Sequence, residues 1–234
     1  MTGEQLTTFI TGLNGEATID PDLLNVLVDN AKAIIEEERP WMVLRKTSTA
    51  KSVTTASTWQ TAIDLSTITD FSRFYDKDGG VIIQLFDGSS RIHEYYLKPF
   101  EDRLNWKDVS DTCVYNENSK TLYLNGTVPF NGTLYIPYVS SSTAIDLTED
   151  TDPVWSVFPS RFTPLLGYYA IGVYKGAVDY DTINKQMLPT NAAVLGALKN
   201  AMERWDNEKQ LSALASNNPS GGGGWRSGAI DRDA

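Results

Sequence analysis

The sequence predicts an α+β fold: a helical bundle formed by the N- and C-terminal segments, an inserted antiparallel β domain (sandwich or small barrel), and an extended C-terminal tail. Three observations predict it. Apolar residues recur at helical spacing before residue 45 and after residue 160, the period falls to two between them, and NNPSGGGG at 217–224 has the composition of a flexible linker. The expected parts are 1–48 (N-terminal helical segment), 49–150 (β domain), 151–216 (C-terminal helical segment completing the bundle) and 217–234 (tail).

Residues 4–13 place Leu6, Phe9, Ile10 and Leu13 at helical offsets, and Asn14-Gly15 stops the pattern. Asp20-Pro21-Asp22 is a helix start: Asp20 caps free amides, Pro21 fits the first turn and Asp22 faces the positive end of the dipole. The stripe Leu24, Leu27, Val28, Ala31, Ile34 and Ile35 follows, and Pro40 ends the helix. Glu36, Glu37 and Glu38 crowd that end, where negative charge opposes the dipole. They read either as a solvated run or as a face toward a DNA channel or a basic partner. Replacing all three with glutamine is expected to raise the intrinsic stability of the chain slightly.

From about 52 to 147 short alternating runs are separated by turn signals. Phe71–Asp76, Val81–Phe86 and Arg91–Leu97, joined at Asp78-Gly79-Gly80 and Asp87-Gly88-Ser89, predict a three-strand meander. Thr112–Tyr115, Thr121–Leu124 and Thr133–Val139 are further strands. After Pro159, Phe162, Leu166, Tyr169 and Val173 mark one helix face, with Gly172 and Gly176 offering a groove for another backbone. A second helix over 191–215 carries Leu195, Leu198, Met202 and Trp205, with Arg204 and Glu208 spaced to pair.

A chain of 234 residues buries roughly 70 to 75% of its unfolded surface on folding and needs no disulfide or metal to do so. Its single cysteine, Cys113, has no partner within the chain and reads as a buried thiol. The 20 basic and 30 acidic residues give a formal charge of −10, which argues against a phosphate-neutralising surface. An acidic wall still lets DNA pass without sticking. The opening residues lack the basic start and apolar run of a signal peptide, and 165–173 is too short to span a bilayer, so a soluble, unprocessed chain is expected.

His93 is the only histidine, so Ser-His or Cys-His catalysis would have to run through it. It sits in the alternating run RIHEYYL, which places it beside Tyr95 on a strand face. No zinc-protease, nucleophile-elbow, phosphate-loop or dinucleotide pattern appears, and acidic pairs such as Asp76 with Asp78 fit turns. A non-enzymatic chain without cofactor or metal is the expectation. Asn125-Gly126-Thr127 and Asn131-Gly132-Thr133 match the glycosylation pattern but read as tight turns. Trp59, Trp106 and the tyrosines read as packing residues, with a sugar-stacking surface as the alternative.

The chain resembles the head-to-tail adaptor (connector) proteins of tailed bacteriophages. The resemblance is carried by LLNVLVDNAKAIIEEERPWMVLR at 23–45, TLYIPYVSSSTAIDLTED at 133–150 and VFPSRFTPLLGYYAIGVYKGA at 157–177, followed by the helix at 191–215 and its tail. It covers most of the chain as a layout, without a strict signature motif. It implies a structural virion protein of the neck, made in the host cytoplasm. Twelve copies would form a ring below the portal protein, joined to neighbouring copies and to stopper, nozzle or other tail proteins, with DNA passing through and no membrane contact. A C-terminal arm would grip the portal, and Trp225, Arg226 and Ile230 have the residue types that anchor interfaces. The β domain looks enlarged relative to the mostly helical adaptors. An alternative function is a carbohydrate-binding or tail-appendage module built on that domain.

Overall fold

The computed structural model describes residues 1–76, 80–148, 150, 152–177 and 179–216. Helix α1 (Gly3–Leu13) opens with a capping box in which Thr2 and Gln5 each accept from the other's backbone amide. Helix α2 (Pro21–Glu38) starts at Asp20, whose carboxylate accepts from the amides of Asp22 and Leu23. Leu24, Leu27, Val28, Ala31 and Ile35 on one face of α2 are buried.

The C-terminal part supplies α4 (Thr163–Tyr174), α5 (Tyr180–Gln186) and α6 (Pro189–Ser216). Helix α4 packs against α1, α2, α5 and α6. Its burial runs almost all round, from Leu165 through Gly172, rather than along the single face that the spacing of Phe162, Leu166, Tyr169 and Val173 predicts. Gly167 lies against the Phe9 ring and Gly172 against Ile183, where an added Cβ would stand 2.6 and 2.5 Å from the nearest side-chain atom. The expected Gly172/Gly176 groove is therefore not formed: Gly176, at φ +86°, ends α4 in open space. Trp41, Trp155 and Phe158 complete this core, with Phe158 4.2 Å from Trp155 and 5.7 Å from Trp41 between ring centroids. Each buried indole removes on the order of 200 Å² from water, an upper-bound gain of about 5 kcal/mol.

Between the helices lie β1 (Arg45–Val53), β2 (Gln60–Asp64), β3 (Phe71–Phe74), β4 (Ile82–Phe86), β5 (Ile92–Lys98), the short α3 (Arg103–Trp106), β6 (Thr112–Asn116), β7 (Thr121–Asn125) and β8 (Gly132–Ser140). They form one curled, eight-stranded mixed sheet, a half-barrel in the order β1-β8-β4-β5-β6-β7-β2, with β3 also on β8. The sheet has its own core, which includes Ile83, Leu85, Tyr95, Leu122, Leu124 and Leu134.

Five expectations are corrected here. The β part is a single curled sheet, a half-barrel rather than a sandwich or a closed small barrel, and it is not wholly antiparallel, because β5 and β6 run parallel across the 99–111 crossover that contains α3. The meander is not formed as predicted. β4 and β5 are a hairpin, whereas β3 pairs with β8 at Phe71↔Ser140 and Phe74↔Tyr138. β8 is long enough to seat β4 along Thr133–Tyr135 and β3 along Tyr138–Ser140 of one edge, with β1 on the other. Strand structure also begins at Arg45, before the expected boundary at 49, in a run with too few apolar residues to show a period. Finally, Gly132 is not a turn residue. It is the first residue of β8, with the Phe86 carbonyl oxygen 2.5 Å from where a Cβ would sit. The expected Arg204–Glu208 pairing is replaced by a bond from Arg204 Nε to the Asn200 carbonyl.

These contacts separate two glycines of α1 and β8. Gly132→Ala drives a methyl into the β4 backbone and is expected to destabilise the chain by about 1 to 3 kcal/mol. Gly12→Ala meets nothing within 4 Å, and is expected to stabilise it by about 0.5 to 1 kcal/mol. Urea unfolding of both variants checks this; equal midpoints would refute the β8–β4 contact.

Candidate functional site

The three carboxylates at the end of α2 do not share a face. Glu36 is buried at 6% exposure, and accepts from the Ser142 amide at 3.1 Å, from the Ser142 hydroxyl and from the Trp155 indole N–H at 3.2 Å. Glu38 accepts from the Tyr169 hydroxyl at 2.6 Å and pairs with Lys199 at 3.0 Å. Glu37 is exposed. Burial, with the neighbouring Glu38 carboxylate adding to it, pushes the Tyr169 hydroxyl far above its ordinary value.

Nor is the end of α2 left with uncompensated negative charge. Arg73 of β3 donates to the Glu36 and Glu37 carbonyls at 3.3 and 3.2 Å, and the Trp41 indole donates to the Ile35 carbonyl at 2.7 Å. A guanidinium at the negative end of the helix offsets the carboxylates there. The expectation that removing all three charges stabilises the chain is therefore reversed for Glu36, which holds three donors.

Glu36 is the last member of a polar stripe. Asp29 accepts from the Ile145 amide at 3.0 Å, and Lys32, 8% exposed, donates to the Ser142 and Thr143 carbonyls at 3.1 and 2.9 Å. Positions 29, 32 and 36 fall on one side of α2, so the helix binds the chain leaving β8 through its backbone. A second buried carboxylate, Asp206 of α6, accepts from the Met42 amide at 2.6 Å and pairs with Arg39 at 3.1 Å. Nothing in the one-dimensional pattern separates these inward carboxylates from solvent-facing ones.

Other residues of interest lie in the sheet. His93 packs edge-on against Tyr95 with centroids 4.7 Å apart, and its Nε2 lies 3.1 Å from Asp111 Oδ1. Burial, then Asp111 and Cys113, push the Tyr95 hydroxyl up to about 12. Burial also pushes the Cys113 thiol well above its usual range, so it is not poised as a nucleophile. Asn125 is fully buried and bonded to Gln60, Trp106 and Thr112, and Asn131 accepts from the Thr55 amide and hydroxyl. Trp225, Arg226 and Ile230 lie outside the described residues, as do Asp78 and Glu149.

Two outward features remain. After Asp206, none of residues 207–213 of α6 is buried, and Leu211 is 67% exposed. That is about 15 Å of helix to Ser216. On the outer face of the sheet, a cleft of about 470 Å³ is bordered by Gln60 of β2, Val114 and Asn116 of β6, Tyr123 of β7, and Arg103, Leu104 and Lys107 of the α3 segment. Leu104 is 72% exposed beside it. Of the aromatic candidates in the sequence, Trp59, Trp106 and the tyrosines, it is Tyr123 that borders the cleft, together with Phe100, while Trp59 braces the segment by donating to the Lys107 carbonyl at 2.6 Å.

Among the described residues, no group of three or more His, Cys, Asp or Glu side chains is placed to hold a metal ion, and no helix is long and apolar enough to cross a membrane. Comparison with family models and with curated proteins finds no match to this chain.

Truncating Glu36 leaves three donors without their acceptor. Glu36→Ala is expected to lower stability by about 2 to 3 kcal/mol, whereas Glu37→Ala, at an exposed position, should change it by less than about 0.5 kcal/mol. Denaturant titration of the two variants checks the contrast, and equal losses would refute the assignment.

Proposed function

We propose that this chain is a structural assembly protein of the head-to-tail adaptor kind, non-enzymatic, joining a portal ring to neck and tail proteins around a DNA channel. In this reading the helices of the two ends form a bundle, copies of it assemble as a dodecameric ring in the virion neck, and the tail from 217 onward docks on the portal or a neighbouring copy. DNA passes without specific binding, consistent with a net charge of −10.

The observation that carries the reading is the far end of α6. The part up to Asp206 is tied down by Leu195, Met202 and Asp206, while the turns after Asp206 present Leu211 and lead directly into the tail. A helix that outruns its own core offers a partner an apolar position on a stiff support. The tail residues 217–234 reach about 60 Å at full extension, beyond the radius of gyration of about 17 to 18 Å expected for a compact chain of this length. Trp225, Arg226 and Ile230 are assigned as its anchors, and Glu37, exposed and without the Tyr169 and Lys199 bonds that engage Glu38, is the member of the acidic run assigned to face a channel or basic partner.

Native mass measurement of the chain alone and with a portal ring tests the reading. The expected result is a complex carrying about twelve copies, the number that the resemblance implies. A chain that stays unbound at micromolar concentrations with the ring would overturn it. Trp225→Ala is expected to cost about 2 kcal/mol of docking free energy, roughly thirtyfold in affinity, with unfolding stability unchanged. Deletion of 217–234 with undiminished portal binding would reject the anchor.

A further inference from the structure

The cleft on the outer face of the sheet has a chemistry unlike the rest of this acidic chain. Its charged lining residues are Arg103 and Lys107, with the amides of Gln60, Asn116 and Asn118 and the rings of Phe100 and Tyr123. Asn116 Oδ1 is occupied by the Asn118 and Ser119 amides at 3.1 and 3.4 Å, which leaves its NH₂ group as the group to meet a ligand. The set is rich in donors, so it suits a ligand rich in acceptors and carrying negative charge.

The cleft is also braced. The 103–109 segment that contributes Arg103, Leu104 and Lys107 is fixed to the sheet at several points. Asn125 Nδ2 donates to the Trp106 carbonyl at 3.0 Å, the Thr112 hydroxyl to the Val109 carbonyl at 2.7 Å, and the Trp59 indole to the Lys107 carbonyl. The Lys98 ammonium sits 4.9 Å from the centre of the Trp106 ring on the same segment. A site held this way loses little conformational freedom when it is filled.

Its floor decides between ligand classes. Val114 and Tyr123 are directly paired across β6 and β7, and β6 is hydrogen-bonded on both sides, to β5 and β7, as β7 is to β6 and β2. An extended peptide adding to a sheet needs a free backbone edge, and the strands under this cleft present ring and amide faces instead. Phe100, Asn116 and Asn118 also form the rim of a second cleft of about 370 Å³ that contains Phe74, Tyr115, Lys98, Glu101 and Glu117. The two clefts meet only at that rim: Tyr115 alternates with Val114 and Asn116 along β6 and packs on Phe71 and Phe74 toward the sheet core, so the second cleft opens on the other face and the site is the first cleft alone.

We propose that this cleft binds the acidic sugar of an anionic oligosaccharide. The charged unit sits at Arg103 and Lys107, its face stacks on Tyr123, and Asn116 and Asn118 bond hydroxyl groups, while Phe100 supports the Arg103 guanidinium, which lies 4.5 Å from its ring centre. This assignment rests on the cleft alone and holds whether or not the chain forms a ring.

The test uses the full chain on an immobilised panel of oligosaccharides ending in uronate or sialate, with their neutral counterparts and tetraglutamate as a charged non-sugar, followed by titration of the best binder. Acidic sugars are expected to bind at least tenfold more tightly than neutral ones or tetraglutamate. The R103Q/K107Q double variant, changed at solvent-facing positions, should lose at least tenfold in affinity with an unchanged unfolding midpoint, and Tyr123→Phe should retain binding. Equal binding of acidic and neutral sugars overturns the charge assignment, and tetraglutamate binding as well as the sugars overturns the saccharide assignment. Silence across the panel, or a double variant that binds like the parent, overturns the site.

Discussion

The polar stripe of α2 is the interaction on which the rest of this structure depends. Asp29, Lys32 and Glu36 bind two amides, two carbonyls and a hydroxyl of residues 142–145, so that the helix serves as a docking strip for the chain leaving β8. β8 in turn seats β1, β3 and β4. Fixing where β8 ends therefore fixes the sheet against the helices. The same carboxylate of Glu36 holds Trp155, whose ring packs on Phe158 in the helical core. One buried group thus joins the helical core to the chain leaving β8.

Burying a carboxylate is costly unless its oxygens are filled with donors. Glu36 meets that condition with three, and the carbonyls beside it meet theirs through Arg73 and Trp41. The arrangement is directional in a way that apolar packing is not. Slipping the chain by one residue at 142–145 would orphan several buried groups together, each at a cost of about 1 to 3 kcal/mol. Specific placement of the half-barrel follows from that penalty. Asp206 does the same for α6, tying it to Arg39 and to the Met42 amide just before β1.

The outward surfaces are what remains once these internal bonds are made. The sheet turns its apolar residues inward and leaves Val114, Asn116 and Tyr123 facing out beneath the α3 segment. Little of that cleft was legible from residue types, because it joins residues from 60 to 123 through a parallel crossover that no local turn signal announces. Trp59 and Trp106 were conspicuous in the sequence, yet Trp59 reaches the cleft indirectly, through the backbone it braces. The exposed end of α6 was more legible, since the last deep apolar position, Met202, precedes a run of polar residues.

By itself the sequence determined the α+β class, the starts of α1 and α2 within a residue, the β4–β5 hairpin and the strands β6 to β8, all written in local periodicity and in caps that act within four residues. It did not determine β1 and β2. Runs such as RKTSTAKSV and QTAID become strands by pairing with β8 and β7, a bond made through the backbone and indifferent to side-chain pattern. Nor did it distinguish Glu36 from Glu37. Both are carboxylates at the end of one helix, separated by about 100° of rotation, and whether a carboxylate faces water or a serine and an indole is decided only when the chain returns from more than a hundred residues away.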